Sequence, residues 1–358
     1  MRAVFDLDDT ICIHENRDYP NAKPVLPVIR KIRDMKKAGW EIVIYTARGQ
    51  VSCKGDLKLI EQRNRSVVET WLKENDVPCD ELLFGKPLGD LYVDDRAMTA
   101  EEFKGAKIEL LHGGGSGSDI YRVGNVVKKY FNGADDVKLF KDWITDNNGV
   151  CKYPEVISYL YSSVFMQFIE GERLVDCCKW DDIKELLATI DRFKGKRKGE
   201  FSIMTHVANL LRNKSRDAEW NDIVDRTAGY LICNQDEIAK YASYCHGDLI
   251  LSNVMKGKDG LYLIDPRYFR ESSTYLFDLA KLRMSLMDYE LRFGLATKSN
   301  REYLQRFDES VDPDVLPLVT GLMLMHICRL YRYKNDEQKQ VVKDFAKEVI
   351  SENEFLFW

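Results

Sequence analysis

A short apolar run from Ala3 to Phe5 ends on the carboxylates Asp6 and Asp8, as in a first core strand. Apolar positions then recur at helical spacing from Pro24 to Ala38, and Gly39 stops the pattern. Glu41–Thr46 reads as a second short strand. Asp56–Asn75 reads as a second helix, with Val67, Val68, Trp71 and Leu72 at core spacing. Leu82–Phe84 and Leu91–Val93 are two further short apolar strands, each ending near polar residues. Strands alternating with helices predict a parallel sheet covered on both faces, and such sheets carry their sites at the carboxyl ends of the strands. Asp6, Thr46, Lys86 and Asp94 all fall there.

Near Lys107–His112 the pattern changes. Ile108–Leu111, Ile120–Val123 and Val126–Lys128 read as three strands, with the glycine-rich run Gly113–Gly117 between the first two. A helix over Asp135–Asn147 and strands at Val156–Tyr161 and Val164–Phe168 follow, and beyond Gly171 the chain is mostly helical apart from residues 245–265. The expected architecture is therefore an α/β chain of two domains. Residues 1–109 should form a Rossmann-like parallel sheet, and residues 110–358 a small β-rich lobe followed by a larger helical one, the plan of a bilobal kinase-like α+β domain. The connection is too short to act as a flexible tether, which predicts a fixed arrangement of the two.

The length of 358 residues allows each domain its own core. A hydrophobic content of 45% with 31% charged residues is that of a soluble globular protein, and a net charge of −5 gives no reason to expect nucleic acid or anionic membrane as a partner. No apolar run is long enough to span a bilayer, and a strand beginning near residue 3 leaves no room for a signal peptide. Nine cysteines occur without a Cys-x-x-Cys pair, which suits reduced thiols in the cytoplasm. Small-molecule substrates are the expected partners, and a homo-oligomer is compatible with this composition.

Two carboxylates, Asp6 and Asp8, stand two residues apart at the end of the first strand. That spacing puts a nucleophile and an acid/base on one face, as two-step hydrolysis of a phosphomonoester through an aspartyl-phosphate requires. Thr46 can hydrogen-bond the phosphate and Lys86 can neutralise its developing charge. Asp6, Asp94 and a backbone carbonyl, assigned to Asp8, suffice to anchor Mg²⁺. Arg48 and Arg96 are either site residues or members of surface ion pairs. Asp6-x-Asp8-x-Thr10, Thr46, Lys86 and Asp94-Asp95 together resemble the four motifs of the haloacid dehalogenase superfamily, across roughly residues 1–108. Tyr45–Gly49, Gly85-Lys86-Pro87 and Tyr92–Ala97 are more narrowly similar to the small phosphatases of capsule and surface-sugar gene clusters. Asp9 stands where that superfamily usually has Gly, and Asp tolerates the same turn conformations. The short spacings leave no room for a large cap domain.

The second constellation is His246-Gly-Asp248-Leu-Ile-Leu-Ser-Asn253 with Ile264-Asp265-Pro266. Phosphoryl transfer from ATP needs cradled phosphates, metal to neutralise them and a base aligned with the acceptor hydroxyl. Backbone amides of Gly114, Gly115, Ser116, Gly117 and Ser118 can cover the phosphates. Lys128, with Lys129 as the alternative, can pair them from the third strand. Asp248 supplies the base, and Asn253 and Asp265 hold Mg²⁺. Gln167, Phe168 and Ile169 fall in a hinge whose backbone would read adenine. The segment resembles the aminoglycoside phosphotransferase and choline kinase family over about residues 110–358. Phe277-Asp278-Leu-Ala fits that family too, where this Asp is usually structural. The family's acidic partner for the lysine falls on a helix offering only Asp135, Asp136 and Asp142. His246 is expected to brace its loop rather than do chemistry.

Taken together, these residues predict a cytoplasmic bifunctional enzyme using Mg²⁺ and ATP. One domain would be a phosphomonoesterase and the other a kinase for a sugar, polyol or amino alcohol, in capsule or surface-glycan precursor synthesis. The rival readings are a kinase–phosphatase that repairs nucleic-acid ends, or one domain acting as a ligand sensor. The first lacks the Gly-x-x-x-x-Gly-Lys-Ser/Thr run, and complete acid sets in both domains oppose the second.

Overall fold

A computed structural model describes residues 2–15, 18–89, 97–105, 108–111, 120–131, 134–147, 149–159, 163–196, 200–267 and 273–353. The chain is of mixed α/β class and divides into two compact units, Met1–Glu109 and Leu110–Trp358.

In the first unit β1 (Arg2–Phe5) leads to a small antiparallel ribbon of β2 (Cys12–Ile13) and β3 (Lys23–Pro24). Then come α1 (Leu26–Lys37), β4 (Glu41–Thr46), α2 (Leu57–Glu74), β5 (Glu81–Phe84) and α3 (Ala100–Gly105). The three core strands form a parallel sheet in the order β1-β4-β5, with Val4 opposite Val43 and Ile44 opposite Leu82. The segment Leu91–Val93 lies outside the described residues. Helix α1 starts at a proline-favoured first turn and buries Val28, Ile29, Ile32 and Met35, one apolar stripe at 3.6-residue spacing. The Asp56 side chain caps α2 by accepting the Leu59 N–H at 3.2 Å, and Trp71 donates its indole N–H to the Ala22 carbonyl at 2.8 Å. Each fully buried aliphatic side chain here contributes about 1.5–3 kcal/mol.

β6 (Ile108–Leu111) runs across the division, and the second unit goes on with β7 (Ile120–Val123), β8 (Val126–Tyr130), α4 (Ala134–Asp146), β9 (Val156–Tyr159) and β10 (Ser163–Gln167). The five strands form one sheet in the order β6-β7-β8-β10-β9. The glycine-rich run 113–118 lies outside the described residues. A second sheet joins β11 (Gly171–Arg173), β13 (Val254–Gly257) and β14 (Gly260–Leu263). The helices are α5 (Leu174–Cys177), α6 (Trp180–Lys194), α7 (Met204–Leu211), α8 (Ala218–Cys233), α9 (Gln235–Ala239), α10 (Leu276–Leu286), α11 (Tyr289–Arg292), α12 (Leu304–Ser310), α13 (Leu316–Leu330) and α14 (Asp336–Glu352). Two short strands, β12 (Ala242–Ser243) and β15 (Ser273–Thr274), pair just ahead of the 246–253 segment. Every residue of α10 is buried, so it forms the axis of the helical core, with α13 packed along it. No helix among the described residues is long and apolar enough to cross a membrane.

Gly321 marks the tightest crossing of α13. A Cβ there would fall 2.4 Å from the Tyr230 ring of α8. Alanine normally stabilises a helix interior relative to glycine, by roughly 0.5–1 kcal/mol. Here the clash outweighs that gain, and Gly321→Ala should destabilise by about 1–3 kcal/mol in denaturant unfolding. An unchanged or raised midpoint would show that α13 is free to shift.

Candidate active sites

In the first unit β1 delivers Asp6 and β4 delivers Thr46 to the same end of the parallel sheet. Lys86, which follows β5, reaches Asp6 with its Nζ at 2.8 Å, and the Leu7 N–H donates to Asp6 Oδ1 at 2.9 Å. Asp8 is held differently. Arg48 grips it as a fork, Nη2 to Oδ1 at 2.5 Å and Nε to Oδ2 at 3.2 Å, and His14 Nε2 stands 3.5 Å away. The Arg48 guanidinium lies 4.1 Å over the Tyr19 ring and its backbone N–H donates to Thr46 Oγ1 at 3.0 Å. Arg48 is 4% exposed, and its Nη1 has no hydrogen-bond partner among the described residues. Arg48 is thus a buried partner of Asp8 rather than part of a surface ion pair.

Asp9 adopts φ 61°, so the turn after the paired carboxylates does take the left-handed conformation that favours glycine. Burial and the charge of Asp8 push the Cys12 thiol up to about 12, which keeps it neutral and unreactive at pH 7. The structure brings Asp6, Asp8, Thr46 and Lys86 to one sheet end. Asp94, Asp95 and Arg96 lie outside the described residues.

The second unit builds its site around the turn 246–253. Gly247 has φ 79°, a bend open to glycine, and Asp278 at the start of α10 fastens it. The Asp278 carboxylate accepts the N–H groups of His246 and Gly247, each at 2.7 Å. Burial pushes its pKa up to about 7 against those two bonds. His246 is fully buried. Its Nδ1 accepts the Asp248 N–H at 3.3 Å while Nε2 donates to the Ile264 carbonyl at 3.0 Å, so it bridges the two segments that carry Asp248 and Asp265. Burial lowers its pKa to about 4, consistent with this neutral bridging form.

Asp248 meets Lys281 Nζ of α10 at 2.9 Å and receives the Asn253 Nδ2 amide at 3.2 Å. Burial alone would raise Asp248, but the charges of Lys281 and Arg267 outweigh it and hold the carboxyl below its ordinary range. Asn253 also accepts the Ile264 N–H at its carbonyl, 2.9 Å, which ties its turn to the end of β14. There Asp265 sits at φ 57° and forms an ion pair with Lys129. Adjacent strand residues point to opposite faces. Lys128 accordingly faces away, 4.8 Å from the Tyr130 and Phe165 rings, and the partner of Lys129 is Asp265 rather than an acid of α4. In the hinge the N–H groups of Gln167 and Phe168 are spent on Glu155 and Asn125 carbonyls, both at 2.8 Å. Ile169 is buried just beyond them.

Sequence reasoning passed over Lys281. Its one signal was a position one helical turn after Asp278 in a largely apolar helix, where an unpaired lysine would be costly.

No protein-family model matches the chain, and no curated protein does. Among solved structures it is similar to a choline/ethanolamine kinase family protein from Mesorhizobium loti, with 15% identity over 69% of this chain and 90% of that one and a TM-score of 0.51. It is also similar to aminoglycoside phosphotransferase APH(4)-Ia, with 11% identity over 70% and 95% of the two chains and a TM-score of 0.53. Over about 70% of its length the chain has the fold of these kinases. A target protein from Vibrio cholerae shares 36% identity over 29% of this chain and 87% of its own length, with a TM-score of 0.29.

Proposed function

We propose that the chain is a bifunctional enzyme, an ATP-dependent small-molecule kinase joined to a phosphomonoesterase. The observation that carries the kinase reading is the Asp248 cluster: an ionised carboxylate oriented by Lys281 and Asn253 in a loop pinned by Asp278, with Lys129 on Asp265 alongside. The kinase fold of the second unit supports it. In this reading the acceptor hydroxyl oxygen attacks the γ-phosphorus of ATP, the bond to the β-phosphate oxygen breaks, ADP leaves, and Asp248 receives the hydroxyl proton. Lys129 replaces Lys128 as the residue we assign to the ATP phosphates, because its neighbour faces the other side of the sheet. The Ile169 N–H makes no hydrogen bond among the described residues, and it is the hinge donor we assign to adenine. The Asp265 carboxylate and the Asn253 side-chain oxygen, whose amide nitrogen is already spent on Asp248, are hard donors suited to Mg²⁺, which would neutralise the phosphates when bound.

The phosphatase reading rests on the Asp6–Lys86 and Asp8–Arg48 pairs at one sheet end. Asp6 would attack phosphorus as the bond to the ester oxygen breaks and Asp8 hands that oxygen a proton; water activated by Asp8 would then release phosphate from the aspartyl-phosphate and regenerate Asp6. The surface-glycan setting rests on the sequence resemblance of residues 1–108. One kinase and one phosphatase in a chain suit a metabolite phosphorylated at one hydroxyl and stripped of phosphate at another. Assaying ADP formation against a panel of sugars, polyols, amino alcohols and their phosphates, with ³¹P NMR of the products, tests both halves. Absence of any acceptor-dependent phosphoester product would refute the kinase half.

A further inference from the structure

Helix α10 meets the loop 246–253 along one face. Asp278, Lys281 and Ser285 stand three and four residues apart, which puts them on a common stripe of the helix. Asp278 holds the N–H groups of His246 and Gly247, and Lys281 holds the Asp248 carboxylate. Ser285 Oγ accepts the Leu251 N–H at 3.0 Å. The next contact along the loop comes from α11. Glu290 Oε1 accepts the Ser285 hydroxyl at 2.8 Å and the Ser252 N–H at 3.2 Å.

The chain bends sharply to bring Glu290 there. Asp288, between α10 and α11, adopts φ 66°, a left-handed conformation that Asp tolerates better than most residues. Its carboxylate accepts the Ser299 hydroxyl at 2.7 Å and the Asn300 N–H at 3.2 Å, which fastens the bend. Glu290 is 1% exposed, and its Oε2 has no hydrogen-bond partner among the described residues. Burying a carboxyl group with one oxygen unpaired is costly. What its other oxygen holds is the single 3₁₀ turn Leu251–Asn253. That turn carries the Asn253 side chain, and Mg²⁺ demands near-ideal octahedral geometry from its donors.

We infer that Glu290 is a positioning residue of the kinase site: with Ser285 it fixes the turn Leu251–Asn253, and through it the Asn253 oxygen assigned to the metal. This rests on the kinase reading above and divides the support of the loop in two. Asp278 and Lys281 hold the Asp248 half, and Ser285 and Glu290 hold the metal half. Glu290 acts here as an acceptor of two hydrogen bonds. Gln offers the same acceptor oxygen, and an apolar side chain of equal length does not.

Binding of Mn²⁺, a spectroscopic substitute for Mg²⁺, would be followed by EPR with the full chain and a non-hydrolysable ATP analogue. The portion lost in Asp265→Asn defines the site. Glu290→Met fills the same space without an acceptor and should weaken that binding by about 10–100-fold, the usual cost of losing an outer partner of a metal ligand. Ser285→Ala should act in the same direction, and Glu290→Gln should stay within about 2-fold of the wild type. In turnover, Glu290→Met should raise the Mg²⁺ concentration for half-maximal ADP formation by a similar factor, with the KM for the acceptor as the internal control. Equal Mn²⁺ affinity in Glu290→Met and the wild type would overturn the inference and leave the kinase reading standing. Equal losses in Glu290→Gln and Glu290→Met would overturn it as well. If Glu290→Met does not fold, Ser285→Ala decides, and unchanged Mn²⁺ affinity there overturns the inference. If the wild-type protein binds no Asp265-dependent Mn²⁺, the kinase reading falls too.

Discussion

Asp248→Ala should lower phosphoryl transfer to the acceptor hydroxyl by about 10²–10⁴-fold, the usual cost of losing a positioned general base, while ATP still binds. The carboxylate is well placed for that role because its surroundings keep it ionised: burial works against the charge, and Lys281 and Arg267 outweigh burial. Lys281 provides a check with a definite sign. Replacing it with Gln removes the larger of the two opposing charges, so the Asp248 pKa rises and the base is protonated at higher pH. The acidic limb of the kcat/KM profile should therefore move to higher pH in Lys281→Gln. A limb that stays in place or moves to lower pH would show that Lys281 does not set the charge of Asp248. Undiminished transfer by Asp248→Ala would remove the kinase assignment altogether.

A comparable loss is expected at the other unit. Asp6→Asn should abolish phosphate release from an aryl phosphate, by on the order of 10⁴-fold, because no other group replaces a covalent nucleophile. Asn preserves the shape of the side chain and loses the charge that Lys86 pairs at 2.8 Å. ADP formation by the Asp248 site serves as the internal control. Beryllofluoride with Mg²⁺, which mimics an acyl phosphate, should inhibit phosphate release by the wild-type protein and bind the Asp6→Asn protein far more weakly. Phosphatase turnover at the wild-type rate in that variant would place the nucleophile elsewhere.

Much of the framework could be read along the chain. The 3.6-residue stripe of Val28, Ile29, Ile32 and Met35 and the apolar run Glu41–Thr46 predict α1 and β4 to within a few residues of their observed ends. Hydrophobic periodicity is a local property, and burial of one face is enough to express it. The turn 246–253 and the segment 264–266 were likewise legible, because a loop proposed to present a base and two metal donors would need its residue types at short, set intervals. Asp9, with φ 61°, shows the same principle on a smaller scale: a residue that tolerates turns stands where the turn is.

What remained ambiguous was every choice between equivalent neighbours and every pairing over distance. Lys128 and Lys129 are chemically identical in sequence. Strand pleating sends them to opposite faces, and only the packing of β8 decides which one meets Asp265, 136 residues further on. Arg48 was open between surface and site until folding set its fork on Asp8, 40 residues away. Lys281 and Glu290 look ordinary on their helices until α10 and α11 meet the turn 246–253. The sequence by itself determined the types and order of most elements the structure describes and the short spacings of the candidate site residues, because those follow from local geometry. The tertiary structure decided which charges face one another, because the energy of an ion pair depends on separation and burial in space, and neither is written in the distance along the chain.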